Sequence, residues 1–194
     1  MKREGGTKRL FVAADIDDAT KAQIEIIARS LRDAIGTRAR TSWVRADRLH
    51  LTLQFFAAAD APLEERIMAA LDGALDARAF DLSFDGLGFF PARGSPRVLW
   101  LGIRNGEAEL RRVQQIVRER LALPPEPFTP HLTLARFRER MSRGALGEIA
   151  DFRAQAGPSR IDRVTLYESR LSPAGPAYLP LAEAPLTCPT SPSS

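Results

Sequence analysis

The chain has 194 residues, of which 44% are hydrophobic and 27% charged, with a net charge of +4. This is enough apolar material for a core built without disulfides or a structural metal, and no apolar run approaches the roughly 18 residues that cross a bilayer. The basic start, Met1 to Lys8, precedes only a short apolar stretch, Leu10 to Ile16, with no small-residue cleavage site, so a cytoplasmic protein with no membrane partner is expected. The single cysteine, Cys188, lies in a Pro/Ser/Thr-rich tail, which excludes an internal disulfide; nothing near it would lower a thiol pKa for catalysis. The positive excess is carried by arginine. It is compatible with a phosphate-bearing partner and equally with the composition of a GC-rich genome, so charge alone decides nothing.

In chain order, Arg9 to Ile16 (RLFVAADI) reads as a buried strand. Asp17 or Asp18 caps a helix whose apolar face is Ile24, Ile27, Ala28, Leu31 and Ile35, stopped by Gly36. Trp43 to Val44 and Arg48 to Phe56 follow, the second a strand by composition. Pro62 opens a helix expected to run to about Ala77, with Ile67, Met68, Leu71 and Leu75 inward. Two strands, Phe80 to Phe89 and Arg97 to Arg104, flank a Pro- and Gly-containing loop. Glu107 to Leu121 is a third helix. Pro124, Pro125, Pro127 and Pro130 make a stiff extended approach to a strand from His131 to Phe137. A weaker helix over about 143–153 and strands over 160–171 and 177–181 complete the pattern. The order describes an α+β fold with mixed or antiparallel sheet.

One internal repeat carries the chemistry. Residues 50–56 read HLTLQFF and residues 131–137 read HLTLARF, and the chain's two histidines are the first residue of each. On a strand, alternate side chains share a face, so His50 and Thr52 point one way and Leu51 and Leu53 the other; the same holds for His131 and Thr133 against Leu132 and Leu134. The leucines anchor each strand while the His-Thr pairs are presented opposite. If the two strands face one another, two imidazoles and two hydroxyls converge. That group suits a phosphodiester: one imidazole accepts a proton from water, the other gives one to the leaving oxygen, and the hydroxyls bond phosphate oxygens. A zinc site needs further ligands, and the motifs offer no Cys, Asp or Glu, so no metal is expected. No G-x-S-x-G supports a serine hydrolase.

These residues resemble the RNA 2',3'-cyclic phosphodiesterases, once named 2'-5' RNA ligases, of the two-histidine phosphoesterase superfamily. The resemblance rests on RLFVAADI at 9–16, WVRADRLHLTLQFF at 43–56, GLGFFPARGSPRVLWLGI at 86–103, FTPHLTLARF at 128–137 and VTLYESRLSPAGPAY at 164–178. It implies a bilobal α+β fold, two mostly antiparallel sheets lining a central cleft with helices outside. A single bilobal domain with internal duplication over 8–183 and a disordered tail over 184–194 are expected. It implies that His50 and His131 are catalytic, that Thr52, Thr133 and Arg136 bind substrate, and that no cofactor is used. The implied partners are RNA ends or nucleotides bearing a 2',3'-cyclic phosphate, opened to a 2'-phosphate, by a monomer. A regular strand would turn Arg136 to the leucine face, so its role requires a bulge or strand end there. Where the family pattern continues F-L-G, this chain has Phe55-Phe56-Ala57-Ala58, which puts the local turn in doubt. Phe55 or Phe56 can stack on a base, while Phe56 and Phe137 also fit as matched core residues. Arg93 and Arg97 can steer RNA or lie solvated. Open alternatives are 2'-5' ligation of tRNA halves, a nucleotide-level phosphodiesterase, and a non-catalytic binding module.

Overall fold

The structure, a computed structural model, describes residues 6–139, 143–172 and 175–187. The strands are β1 (Lys8–Asp15), β2 (Thr41–Trp43), β3 (His50–Ala59), β4 (Leu75–Arg78), β5 (Phe80–Phe90), β6 (Val98–Asn105), β7 (Leu132–Phe137), β8 (Gln155–Ile161), β9 (Arg163–Arg170) and β10 (Ala177–Thr187). The helices are α1 (Asp18–Ile35), α2 (Ala61–Ala70), α3 (Glu107–Arg120) and α4 (Arg143–Ala150). The strands form two five-stranded sheets, ordered β3-β1-β9-β10-β4 and β2-β7-β6-β5-β8. All pairings are antiparallel except β4 with β10. This is the bilobal α+β architecture expected, with one repeat in each sheet: the first motif on β3, the second on β7.

The helices interlock the lobes. Helix α1 leaves β1 of the first sheet and packs on β8 of the second, while α3 leaves β6 of the second and packs on β3 and β4 of the first. Asp17 starts α1 by accepting the Thr20 amide at 2.7 Å, and Ile24, Ile27, Ala28, Leu31 and Ile35 form its buried face as the three- and four-residue spacing predicts. One cluster of buried side chains runs through both sheets, joining Leu10, Leu51 and Leu53 to Leu99, Leu101, Leu132 and Leu134. Among the described residues no helix is long and apolar enough to cross a membrane.

Three expectations need correction. The helix opened by Pro62 ends at Ala70, not Ala77: Gly73 turns the chain at φ 72°, and Leu75 begins β4, where it pairs with Leu186. Met68 is consequently exposed rather than inward. The stretch 160–171 is two strands, because the chain crosses at Asp162 from β8 in one sheet to β9 in the other. The segment 184–187 belongs to β10 rather than to a loose tail, with Ala184 opposite Val164 and both Ala184 and Leu186 buried. Cys188 and the rest of the expected tail lie outside the described residues.

Gly88 shows how tightly the second sheet is built under its motif. A Cβ there would sit 2.1 Å from the Trp100 indole, which lies across the strand pair from it. Gly88→Ala is expected to displace that ring and cost about 1–3 kcal/mol of stability, read as a lower urea midpoint with unchanged m-value.

Candidate active site

A cleft of about 640 Å³ opens between the lobes, and His50, Thr52, His131, Thr133 and Arg136 all line it. The two strands deliver these side chains as alternation requires: Leu51, Leu53, Leu132 and Leu134 are buried in the core, and the His-Thr pairs are half-buried on the opposite face. Arg136 reaches the cleft because the strand is bulged. Trp100 pairs with Thr133 and Leu99 with Ala135, so Leu134 is an extra residue. Leu134 and Ala135 both turn inward and the next position flips outward. The first motif carries the same defect: Ala13 pairs with Thr52 and Val12 with Gln54, leaving Leu53 extra and Phe55 facing the cleft. Phe55 and Arg136 are thus the same position of the two repeats. Phe56 and Phe137, one residue on, are both buried, the matched core pair.

Each histidine is oriented by its own backbone. His50 Nδ1 lies 2.8 Å from the Arg48 carbonyl and His131 Nδ1 lies 2.8 Å from the Thr129 carbonyl, so in both rings Nδ1 carries the proton and donates it. Nε2 is left as the working nitrogen. In His50 it lies 3.0 Å from Thr52 Oγ1; for His131 no partner is found among the described residues. The rings are walled by aromatics. Phe11 stacks on His50 at 4.7 Å and Tyr178 meets it edge-on at 5.3 Å, while Phe90 and Trp100 flank His131 at 4.8 and 6.1 Å. Burial pushes both imidazole pKa values below the ordinary range. For His50 the Arg48 carbonyl and the Asp15 carboxylate push back, and the charge of His131 adds to the lowering. For His131 the Thr129 carbonyl pushes back and Arg136 adds to the lowering.

Five arginines, Arg9, Arg45, Arg48, Arg136 and Arg138, line the cleft, and no carboxylate does among its described lining residues. Such a surface attracts a polyanion. Arg93 and Arg97 are exposed but lie outside that lining, so this structure does not bring them to the site. The residue-by-residue reading missed Phe11, Ser42, Arg48 and Tyr178. Phe11 was findable: it shares strand parity with Asp15, the polar end of β1, which marks that face as the cleft side. Tyr178 was not, because its approach to His50 depends on β10 folding back over β9.

Arg118 of α3 ties the motifs together from behind. It is buried, donates to the Gln54 side chain in the first motif and to the Pro124 carbonyl on the approach to the second, and pairs with Glu126 at 2.6 Å. The proline-rich stretch before His131 is therefore tethered to the bulge after Thr52.

Two inward-facing His-Thr pairs on the duplicated strands of a bilobal fold define a two-histidine phosphoesterase. The chain belongs to the 2'-5' RNA ligase superfamily, whose family model matches residues 16–172. It is 32% identical to an RNA 2',3'-cyclic phosphodiesterase of Archaeoglobus fulgidus, over 88% of this chain and 96% of that one. Identity to the enzyme of the same name from Thermotoga maritima is 30%, over 90% and 94%. The crystal structure of Escherichia coli LigT complexed with 3'-AMP superposes with a TM-score of 0.71 at 28% identity, covering 93% of this chain and 99% of that one.

Because the chain has two histidines, an imidazole NMR titration resolves both without overlap. Both are expected to titrate below the ordinary value of about 6.5, His50→Ala removing one signal and His131→Ala the other. A transition at or above the ordinary value in either ring would contradict the burial described.

Proposed function

We propose that this protein hydrolyses the terminal 2',3'-cyclic phosphates of RNA to 2'-phosphates, by metal-independent acid–base catalysis through His50 and His131. One observation carries the reading: two imidazoles oriented through Nδ1 by their own backbone, two hydroxyls and an arginine share one cleft with no carboxylate among its described lining residues. The names of the relatives support the reaction, and the 3'-AMP complex of a 28%-identical relative supports a nucleoside phosphate in the cleft.

The surroundings of the two rings differ, and they support distinct roles. His131 stands beside Arg136, which disfavours its charge, and its Nε2 has no partner among the described residues, so it takes the proton from the attacking water. His50 has the Asp15 carboxylate nearby, and both its ring nitrogens face oxygen acceptors, an arrangement that accommodates an imidazolium. It gives its Nε2 proton to O3' as the P–O3' bond breaks, leaving the phosphate on O2'. Thr52 and Thr133 donate to non-bridging oxygens, and the planar Arg136 fork matches the pair of oxygens that gains charge in the transition state. Phe55, 44% exposed with the Arg9 guanidinium 5.3 Å over its ring, offers a flat face for the terminal base. The other arginines support a strand that extends past one nucleotide.

The decisive assay is product analysis on a defined oligoribonucleotide ending in a 2',3'-cyclic phosphate, in EDTA, with the mononucleotide alongside. The expected product is the 2'-phosphate, and His50→Ala and His131→Ala should each lower kcat/KM by at least roughly 10²-fold. Loss of turnover on chelation, or a variant near wild-type rate, would overturn the mechanism. Phe55→Ala should raise KM for the oligonucleotide with little change in kcat, the pattern of lost ground-state binding; an unchanged KM would remove the stacking role.

A further inference from the structure

Of the acidic side chains on the first sheet, Asp15 stands next to His50 yet transfers no proton in the reaction above. Asp15 closes β1 directly opposite His50 in the antiparallel ladder, so the two side chains leave the same face as near neighbours. Phe11, on that face, stacks on the imidazole. Asp15 does not line the cleft. It lies beneath, where Thr165 Oγ1 and Tyr167 OH both donate to its Oδ2 at 2.9 Å. Thr165 is fully buried, and burial together with Asp15 pushes the Tyr167 phenol far up, so it remains a donor at any working pH. Among the described residues no arginine or lysine pairs with Asp15. Two hydroxyls bond one oxygen of the carboxylate but supply no counter-charge, and a half-buried carboxylate without one is costly. An asparagine would link the same strands at lower cost if linking them were all that was needed.

The groups facing His50 leave one source for that counter-charge. From β1 and β10 come the Phe11 and Tyr178 rings; from β9, Tyr167 donates to Asp15 and stacks on Phe11. Its own segment offers the Arg48 carbonyl. The charge of His131, just before β7, opposes a charge on His50, while Arg9, Arg48 and Arg136 act on the neighbouring Tyr178. Asp15 is the acidic group acting on the ring. We infer that Asp15 is a positioning residue for His50: its negative charge, clamped by Thr165 and Tyr167, offsets part of the cost that burial puts on the imidazolium that donates to the leaving oxygen. The inference deepens the proposed function and rests on His50 being the acid. His131, with Arg136 beside it and no such carboxylate among the described residues, is set for the opposite role.

The test is Asp15→Asn, read two ways. In a His131→Ala background the single remaining imidazole NMR signal belongs to His50, and Asp15→Asn should move its titration to lower pH. In the otherwise native chain the alkaline limb of kcat/KM, set by the acid that must stay protonated, should move to lower pH. The acid limb should stay, so the loss of activity grows from pH 6 to pH 8. An unmoved His50 titration overturns the inference, and so does an equal loss at every pH with both limbs in place, which is what a structural role gives. Asp15→Ser, neutral and still able to bond Thr165, is the second variant. If neither variant folds, the carboxylate is structural and the inference falls. The NMR arm needs no turnover: a shifted His50 signal in a protein that opens no cyclic phosphate would sink the hydrolase reading while leaving the electrostatic link intact.

Discussion

One extra residue in each motif strand decides what the cleft contains. A strand of strict period two would turn Arg136 into the core beside Leu132 and Leu134, where an unpaired guanidinium is untenable. Leu134, unmatched in the ladder, reverses the parity after Thr133, so Arg136 joins His131 on the cleft face while Phe137 stays inside. Leu53 does the same after Thr52, and Phe55 joins His50. The leucines can therefore satisfy the core and the remaining positions satisfy the site from one short strand. Since the defect is duplicated, the two lobes present equivalent positions, and the difference between them is chemical. One offers an aromatic face and the other a cation, which matches the two ends of a nucleoside phosphate.

The same cleft sets burial against charge. Aromatic walls take both imidazoles out of water, which disfavours their charged forms. Five arginines give the cleft a positive field, with no carboxylate among its described lining residues. Within that common environment the neighbours are opposed, a carboxylate behind His50 and a guanidinium beside His131. Two histidines with identical local sequence, HLTL, are thereby made inequivalent by residues that neither motif contains or that follow its shared part.

Holding two strands from different sheets in register requires the lobes not to drift. The exchange of helices, α1 covering the second sheet and α3 the first, means that neither sheet can bury its outer face without the other's chain segment. Arg118 adds a local tie between Gln54 and Pro124, joining the bulge of one motif to the approach of the other. Its burial is made tolerable by the acceptors it meets, including the Glu126 carboxylate.

Much of this was readable without a fold. The repeat, the use of both histidines, the leucine anchors and the need for a bulge before Arg136 all follow from strand periodicity, because period two is a local property of the backbone. Elements with strong apolar spacing, such as α1 and α3, were legible for the same reason. Boundaries failed where partners from elsewhere intervene. Residues 75–78 became strand because Leu186 lies beside Leu75, the run 160–171 split because two sheets compete for it, and 184–187 were ordered by β9. The amino-acid sequence by itself determined that the two His-Thr pairs would leave their strands on the face opposite the leucines. Only the tertiary structure decided that Asp15, Phe11 and Tyr178 gather around one imidazole, and Trp100 and Phe90 around the other. Those neighbours come from four different strands, and the electrostatic difference they impose depends on distances through space that no spacing along the chain encodes.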